Sequence, residues 1–321
     1  MKDGFLYIQI LFLFFTGFTA AQNYEIKIYN PENSELSAKS IQTLLFDSEE
    51  NLWIGSRKNG LFKFDGSSFK NFNTSNSILP HNNVFALAAD SKDTLWIGTF
   101  GGGLVKMKND SMIVYDNQNS NLPHNFIYDV GLDSTGKVWI GTWGSGLVCF
   151  KKNRFDYFND KNSLIPHPKV PSLAIDDSGK VWIGTVKGLA FFDDGMVKLP
   201  MESFPASSIY EILIDRTTKY IGFKDDGLLI IDDDSVKYFT TENSDLPSNR
   251  IWALDLDSKG NLWIGTYSSG LCRFDGDLWT VYNKDNSELP DNYIFDLEID
   301  DKDNIWIGTL NKGLVRLNII N

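Results

Sequence analysis

Leu262-Trp263-Ile264-Gly265-Thr266 is one of seven related stretches in the chain. Its Trp-Ile-Gly core recurs as Trp53-Ile54-Gly55, Trp96-Ile97-Gly98, Trp139-Ile140-Gly141, Trp182-Ile183-Gly184 and Trp306-Ile307-Gly308. The remaining copy is Tyr220-Ile221-Gly222, with Tyr in place of Trp. Successive copies are 43, 43, 43, 38, 43 and 43 residues apart. A period in the forties with several strand-like runs per unit predicts a β-propeller. The fold class is therefore all-β, a seven-bladed propeller of four-stranded antiparallel blades.

Residues 251–282 show how one unit divides. Ile251 to Leu256 places apolar side chains at Trp252, Leu254 and Leu256, an alternation that predicts one packed strand face. Asp257-Ser258-Lys259-Gly260 is turn sequence. Asn261 to Thr266, Gly270 to Phe274 and Leu278 to Tyr282 supply the other three strands. At the chain ends, residues 24–36 (YEIKIYNPENSEL) align with 277–289 (DLWTVYNKDNSEL), a fourth strand and its exit loop. Tyr24–Tyr29 is thus expected to complete the last blade, whose own third strand is Leu314 to Leu317. Closure in this way leaves no unpaired sheet edge. Blade 5, around Tyr220, departs furthest from the repeat and is expected to be the least regular.

Residues 1–21 read as a secretory signal peptide: Lys2, an apolar run from Phe5 to Phe18, then Thr19-Ala20-Ala21 before polar Gln22. The run is 14 residues long, short of the ~20 that a membrane span needs. Residues 22–321 form the propeller, expected to be exported, periplasmic or secreted, with no membrane span after cleavage. A net charge of −12 argues against nucleic acid as a partner, because phosphates require a basic surface. Cys149 and Cys272 fall in blades 3 and 6, too far apart around a ring for a disulfide, and are read as buried thiols.

The repeat L-W-I-G-T-x-x-x-G-L-x-x-F-D-G, with N-S-x-L-P-x-N-x-I upstream, resembles the two-component regulator propeller family. The resemblance covers essentially all of residues 22–321. It implies the extracellular sensor part of a hybrid histidine kinase, with oligosaccharides among the ligands. The immunoglobulin-like domain, membrane helix and kinase of such sensors do not follow Asn321, so the expectation is a stand-alone, monomeric propeller that signals through a separate partner.

Connectivity places two sets of loops on opposite faces. One face carries Asp47, Asp90, Asp133, Asp176, Asp215, Asp257 and Asp300, one before each Trp or Tyr, as turn-capping carboxylates. The other varies from blade to blade. Four residues after each Trp or Tyr stand Arg57, Phe100, Trp143, Val186, Lys224, Tyr267 and Leu310. Aromatic rings there suit the faces of sugar rings, with Arg57 or Lys224 meeting any acidic group; packing against the adjacent loop is the alternative. His81, His124 and His167 share this face, each after a Pro, as ligand hydrogen-bonding groups or solvated turn residues. Ring spacing disfavours a shared metal.

Around the axis, Asp129, Glu211, Asp255, Asp296 and Glu298 form an acidic lining. Asp129, Asp255, Asp296 and Glu298 are also the residues that would hold Ca²⁺ in the central channel; otherwise no cofactor is expected. The chain has no Ser-His-Asp set and no His outside the repeated loop position. A non-catalytic module binding an oligosaccharide or a partner protein is the first reading. A carbohydrate-active hydrolase or lyase, lactonase-like or polysaccharide lyase-like, with its site at the axis is the second.

Overall fold

A computed structural model of the protein describes residues 23–200, 204–232 and 235–320. The proposed signal peptide lies outside the described residues. The described chain forms seven antiparallel four-stranded sheets. Their innermost strands are Ile41–Phe46, Val84–Ala89, Ile127–Leu132, Ser172–Ile175, Ile209–Asp215, Ile251–Leu256 and Ile294–Ile299. Each pairs on one side only, so its other edge faces the axis. Closure is as the repeat alignment predicts. Asn23–Tyr29 pairs antiparallel along Leu314–Ile320 and becomes the outer strand of blade 7. Tyr29 packs there against Trp306, Phe64 and Phe69, tying the closing blade to blade 1.

The core is divided among seven clusters, each shared between two adjacent blades. Trp96 and Leu104 of blade 2 join Ile127, Val138 and Phe150 of blade 3, for example. Trp306 and Leu314 of blade 7 join Ile41, Leu52 and Phe62 of blade 1. The repeat glycine follows from these joints. A Cβ on Gly265 would lie 2.6 Å from Ile294 Cγ2, and one on Gly98 would lie 2.6 Å from Ile127 Cγ2. The first residue of the next inner strand occupies the space that any larger residue would need. The repeat Trp is held from the other side. In five blades the turn Asp accepts the indole N–H, as Asp47 does from Trp53 at 2.9 Å and Asp300 from Trp306 at 3.0 Å. The same carboxylates cap their turn: Asp47 Oδ1 accepts from the Glu49 and Asn51 amides. Burial opposes ionisation of Asp47, but these donors outweigh it and hold the carboxyl below its usual range. Cys149 and Cys272 are free and buried, and burial pushes their thiols up to about 11 and 12.

Two expectations are corrected. Blade 5 is as complete as its neighbours: its strands Ile209–Asp215, Thr218–Phe223, Leu228–Asp232 and Ser235–Phe239 pair along their length, with one shift at Ile209/Glu211. Its shortened turn places Arg216 at φ 52° and lets Asp215 pair directly with Thr218, a two-residue hairpin that extends the ladder. Blade 4 is the shorter one, with an inner strand of four residues and an outer strand of three. The second correction concerns the inner strands. Six of them carry a register shift at the second residue, as between Ile251 and Ala253. Such a bulge opposes two residues to one and re-aims the extra side chain. Trp252 therefore leaves the face of Leu254 and turns to the axis. In blade 4 Pro171 occupies this position and no shift is present.

Candidate functional site

The bulge assembles a site that strict alternation hides. The bulge re-aims Gln42, Phe85, Tyr128, Tyr210, Trp252 and Phe295, and these, with Pro171 at the same position of blade 4, line a cavity of about 550 Å³ on the loop face of the axis. At five blades the residue after it lines the cavity too (Thr43, Ala86, Asp129, Glu211 and Asp296), because the bulge sends two consecutive side chains the same way. The cavity is thus layered. A rim includes Arg57, Phe100, Tyr267 and Leu310; below it sits a collar with five aromatic rings; below that lies a floor with three carboxylates.

The collar rings form two arcs. In blades 2 and 3, Phe85 stands 4.8 Å from Tyr128, and Phe100 5.5 Å from Phe85. In blades 5 to 7, Trp252 lies 5.6 Å from Tyr210, 4.8 Å from Tyr267 and 4.5 Å from Phe295. Gln42 and Pro171 separate the arcs. Burial pushes the Tyr128 hydroxyl up to about 12, with Tyr210 adding to the shift, and raises Tyr210 as well. Both hydroxyls are therefore neutral hydrogen-bonding groups at the cavity wall. The Trp252 indole N–H and the Asn83 side-chain carbonyl, both on cavity-lining residues, are buried and lack a hydrogen-bond partner.

The floor carboxylates come from blades 3, 5 and 7, with Asp255 and Glu298 one step deeper in blades 6 and 7. Four of the five reach across to the next blade. Asp129 Oδ2 accepts the Leu173 amide at 2.7 Å, and Asp296 Oδ2 the Leu44 amide at 2.6 Å. Asp255 accepts from Ile299 and Glu298 from Phe46. These donors lie on the axial edges of inner strands, where no further strand supplies an acceptor. Burial pushes Asp129 and Asp296 up to about 7 and Asp255 up to about 6, against the opposing backbone donors. Glu211 and Glu298 stand well above the usual range, through burial first and repulsion from neighbouring carboxylates second. The narrow channel leaves these side chains some open surface while protein surrounds them, and the enclosure governs the shift. No group of three or more His, Cys, Asp or Glu among the described residues is arranged to hold a metal ion.

Of the residues expected on the variable face, Arg57, Phe100 and Tyr267 line the cavity; Trp143, Lys224 and the three histidines do not. Trp143 is not an open platform. Tyr128 stacks on its ring at 4.3 Å and 17°, and Lys169 Nζ sits 4.3 Å from the ring centroid. Lys224 is exposed. The histidines are turn acceptors: Nδ1 of His81, His124 and His167 takes the amide two residues on, at 3.0–3.1 Å. Ser248 and Asp291 do the same in blades 6 and 7, so this position needs an acceptor rather than an imidazole. Sequence reasoning missed the collar. Its signal was present as a column of residues directly after Ile41, Val84, Ile127, Val170, Ile209, Ile251 and Ile294, five of them aromatic.

The two component regulator propeller family matches the chain at residues 78–101, 121–144, 245–268 and 288–311, four stretches similar to that family's repeat. No curated protein sequence matches it. Among solved structures, the extracellular domain of BT3049 from B. thetaiotaomicron, assigned to a hybrid two component system, shares 21% identity with a TM-score of 0.79. The match covers 93% of this chain and 42% of that one, so the chain spans about two fifths of the sensor domain's length. PorZ, a surface component of the type-IX secretion system of Porphyromonas gingivalis, matches at 16% identity and TM-score 0.68 over 87% of this chain and 46% of that one. Virginiamycin B lyase from Staphylococcus aureus matches at 11% identity and TM-score 0.74 over 93% and 100%. These likenesses are of fold, and they include sensor-type domains and an enzyme. No helix among the described residues is long and apolar enough to cross a membrane.

Proposed function

We propose that the protein is an exported binding module that takes an oligosaccharide into the axial cavity on its loop face. The observation that carries the reading is the collar, in which five aromatic rings, Gln42 and Pro171 surround one opening. Aromatic faces bury the C–H surface of a sugar ring, while Tyr128, Tyr210, Asn83 and the floor carboxylates offer hydrogen bonds to its hydroxyls. A volume of about 550 Å³ lies within the ~300–1,000 Å³ typical of small-molecule sites. The sensor-type likeness agrees with a recognition role.

The test is a panel of oligosaccharides screened by calorimetry against the mature protein and a Trp252→Ala variant, with products followed in parallel. Loss of one aromatic contact of ~1 kcal/mol or more should weaken binding about fivefold to tenfold. Affinity unchanged in Trp252→Ala, with the variant folded, would remove the collar from the site. Product formation would shift the assignment to a hydrolase or lyase.

A further inference from the structure

We propose that the channel floor is a subsite for an organic ammonium group, carried into the cavity by an amino sugar. The inference rests on the oligosaccharide reading and specifies its chemistry. Three carboxylates, Asp129, Glu211 and Asp296, face the cavity from alternate blades. None of the ion pairs formed by described residues involves them, Asp255 or Glu298. Among the described residues, the single cationic side chain in the cavity wall is Arg57, exposed on the rim. The depth of the site therefore gathers acid groups that no cationic side chain of the described residues pairs with, and an arriving ammonium group favours their ionised form.

The floor acids are also aimed. Asp129 and Asp296 each receive two backbone N–H bonds, one from their own strand and one from the next blade. Asp296 also takes a hydrogen bond from the Thr43 side chain, and a carboxylate has about four acceptor positions, so each acid keeps at least one for a further donor. Fixed acceptors below and aromatic faces around suit an ammonium group from two sides, since cations are drawn to the faces of Trp and Tyr. A bare metal ion would use neither the rings nor this spread of carboxylates, and no metal-type cluster is present among the described residues. The floor acids repel one another, and an ammonium relieves that repulsion as it binds. The net charge of −12 also favours a cationic ligand on approach.

The experiment compares three β-1,4-linked oligosaccharides of equal length by calorimetry: glucosamine oligomers, their N-acetylated counterparts and glucose oligomers. The first two differ by whether the nitrogen carries charge. The glucosamine oligomer should bind at least tenfold tighter than either of the others, and the advantage should shrink as salt is raised. An Asp129→Asn/Asp296→Asn variant keeps the side-chain shapes and should lose that advantage. If it does not fold, the salt titration of the unaltered protein reads the same charge dependence. Equal or tighter binding of the N-acetylated or neutral oligomer overturns the ammonium subsite and leaves oligosaccharide binding intact. Silence toward all three overturns it as well, and the wider glycan panel then decides the parent reading.

Discussion

Gly265→Ala tests the blade joint directly. The added methyl would stand 2.6 Å from Ile294 Cγ2, 3.1 Å from Ala253 Cβ and 3.2 Å from Ile294 Cβ. Ile294 is 1% exposed and branches at Cβ, so it cannot yield without moving its strand. Two effects compete. Replacing Gly where φ is negative stabilises by about 0.4–1 kcal/mol through the unfolded chain. Overpacking a close-packed interior costs about 1–3 kcal/mol. With three contacts at or below 3.2 Å the second wins, and a net loss of about 1–2 kcal/mol is expected. Urea unfolding should show a lower midpoint at unchanged slope. Ile294→Ala alone should cost about 2–5 kcal/mol. In the double variant the new methyl enters the space Ile294 leaves, so the combined loss should fall short of the sum by about 0.5–3 kcal/mol. Gly308→Ala, whose nearest contact is 3.0 Å, should be the milder substitution. An unchanged or higher midpoint for Gly265→Ala, or strict additivity with Ile294→Ala, would refute the account of why the repeat ends in glycine.

Two further predictions concern closure and the channel. Removing residues 23–29 strips the partner from Leu314–Ile320 and uncovers a strand edge; the melting temperature should drop and aggregates should appear, and a monomer melting as before would argue against this closure. The floor carboxylates bind protons more tightly in the folded protein than the ~3.9 of an unfolded Asp, so their ionisation costs stability. That cost is absent below about pH 4 and is complete above the raised value of about 7 for Asp129 and Asp296. Stability should therefore fall from pH 4 to 7. Asp129→Asn should flatten the slope by up to about 1.4 kcal/mol per pH unit, and an identical slope would show that Asp129 titrates normally.

The architecture was legible because each blade repeats one packing problem. The Trp marks a joint, the Gly marks where the next blade crowds in, and the turn Asp marks the acceptor for the indole. Closure was legible because residues 24–36 repeat a fourth strand. The collar was not, because alternation assumes one residue per step and a bulge adds one. That single extra residue carried Trp252 from the predicted packed face to the axis. For Trp143 the sequence left a sugar platform and packing on the neighbouring loop both open, and the structure sets Tyr128 and Lys169 against its ring. The histidine column showed spacing, whereas only the hydrogen bonds reveal that Ser248 and Asp291 serve the same turn.

None of Gln42, Phe85, Tyr128, Tyr210, Trp252 and Phe295 belongs to any of the seven clusters that join the blades. Their residue types are therefore free of the constraint that holds the Trp-Ile-Gly joints constant. The ring reads as a seven-letter word, Gln-Phe-Tyr-Pro-Tyr-Trp-Phe, written on a scaffold that does not depend on its spelling. Selection, or an engineer, can rewrite what the opening recognises one blade at a time, and the joints will hold the new word as they hold this one.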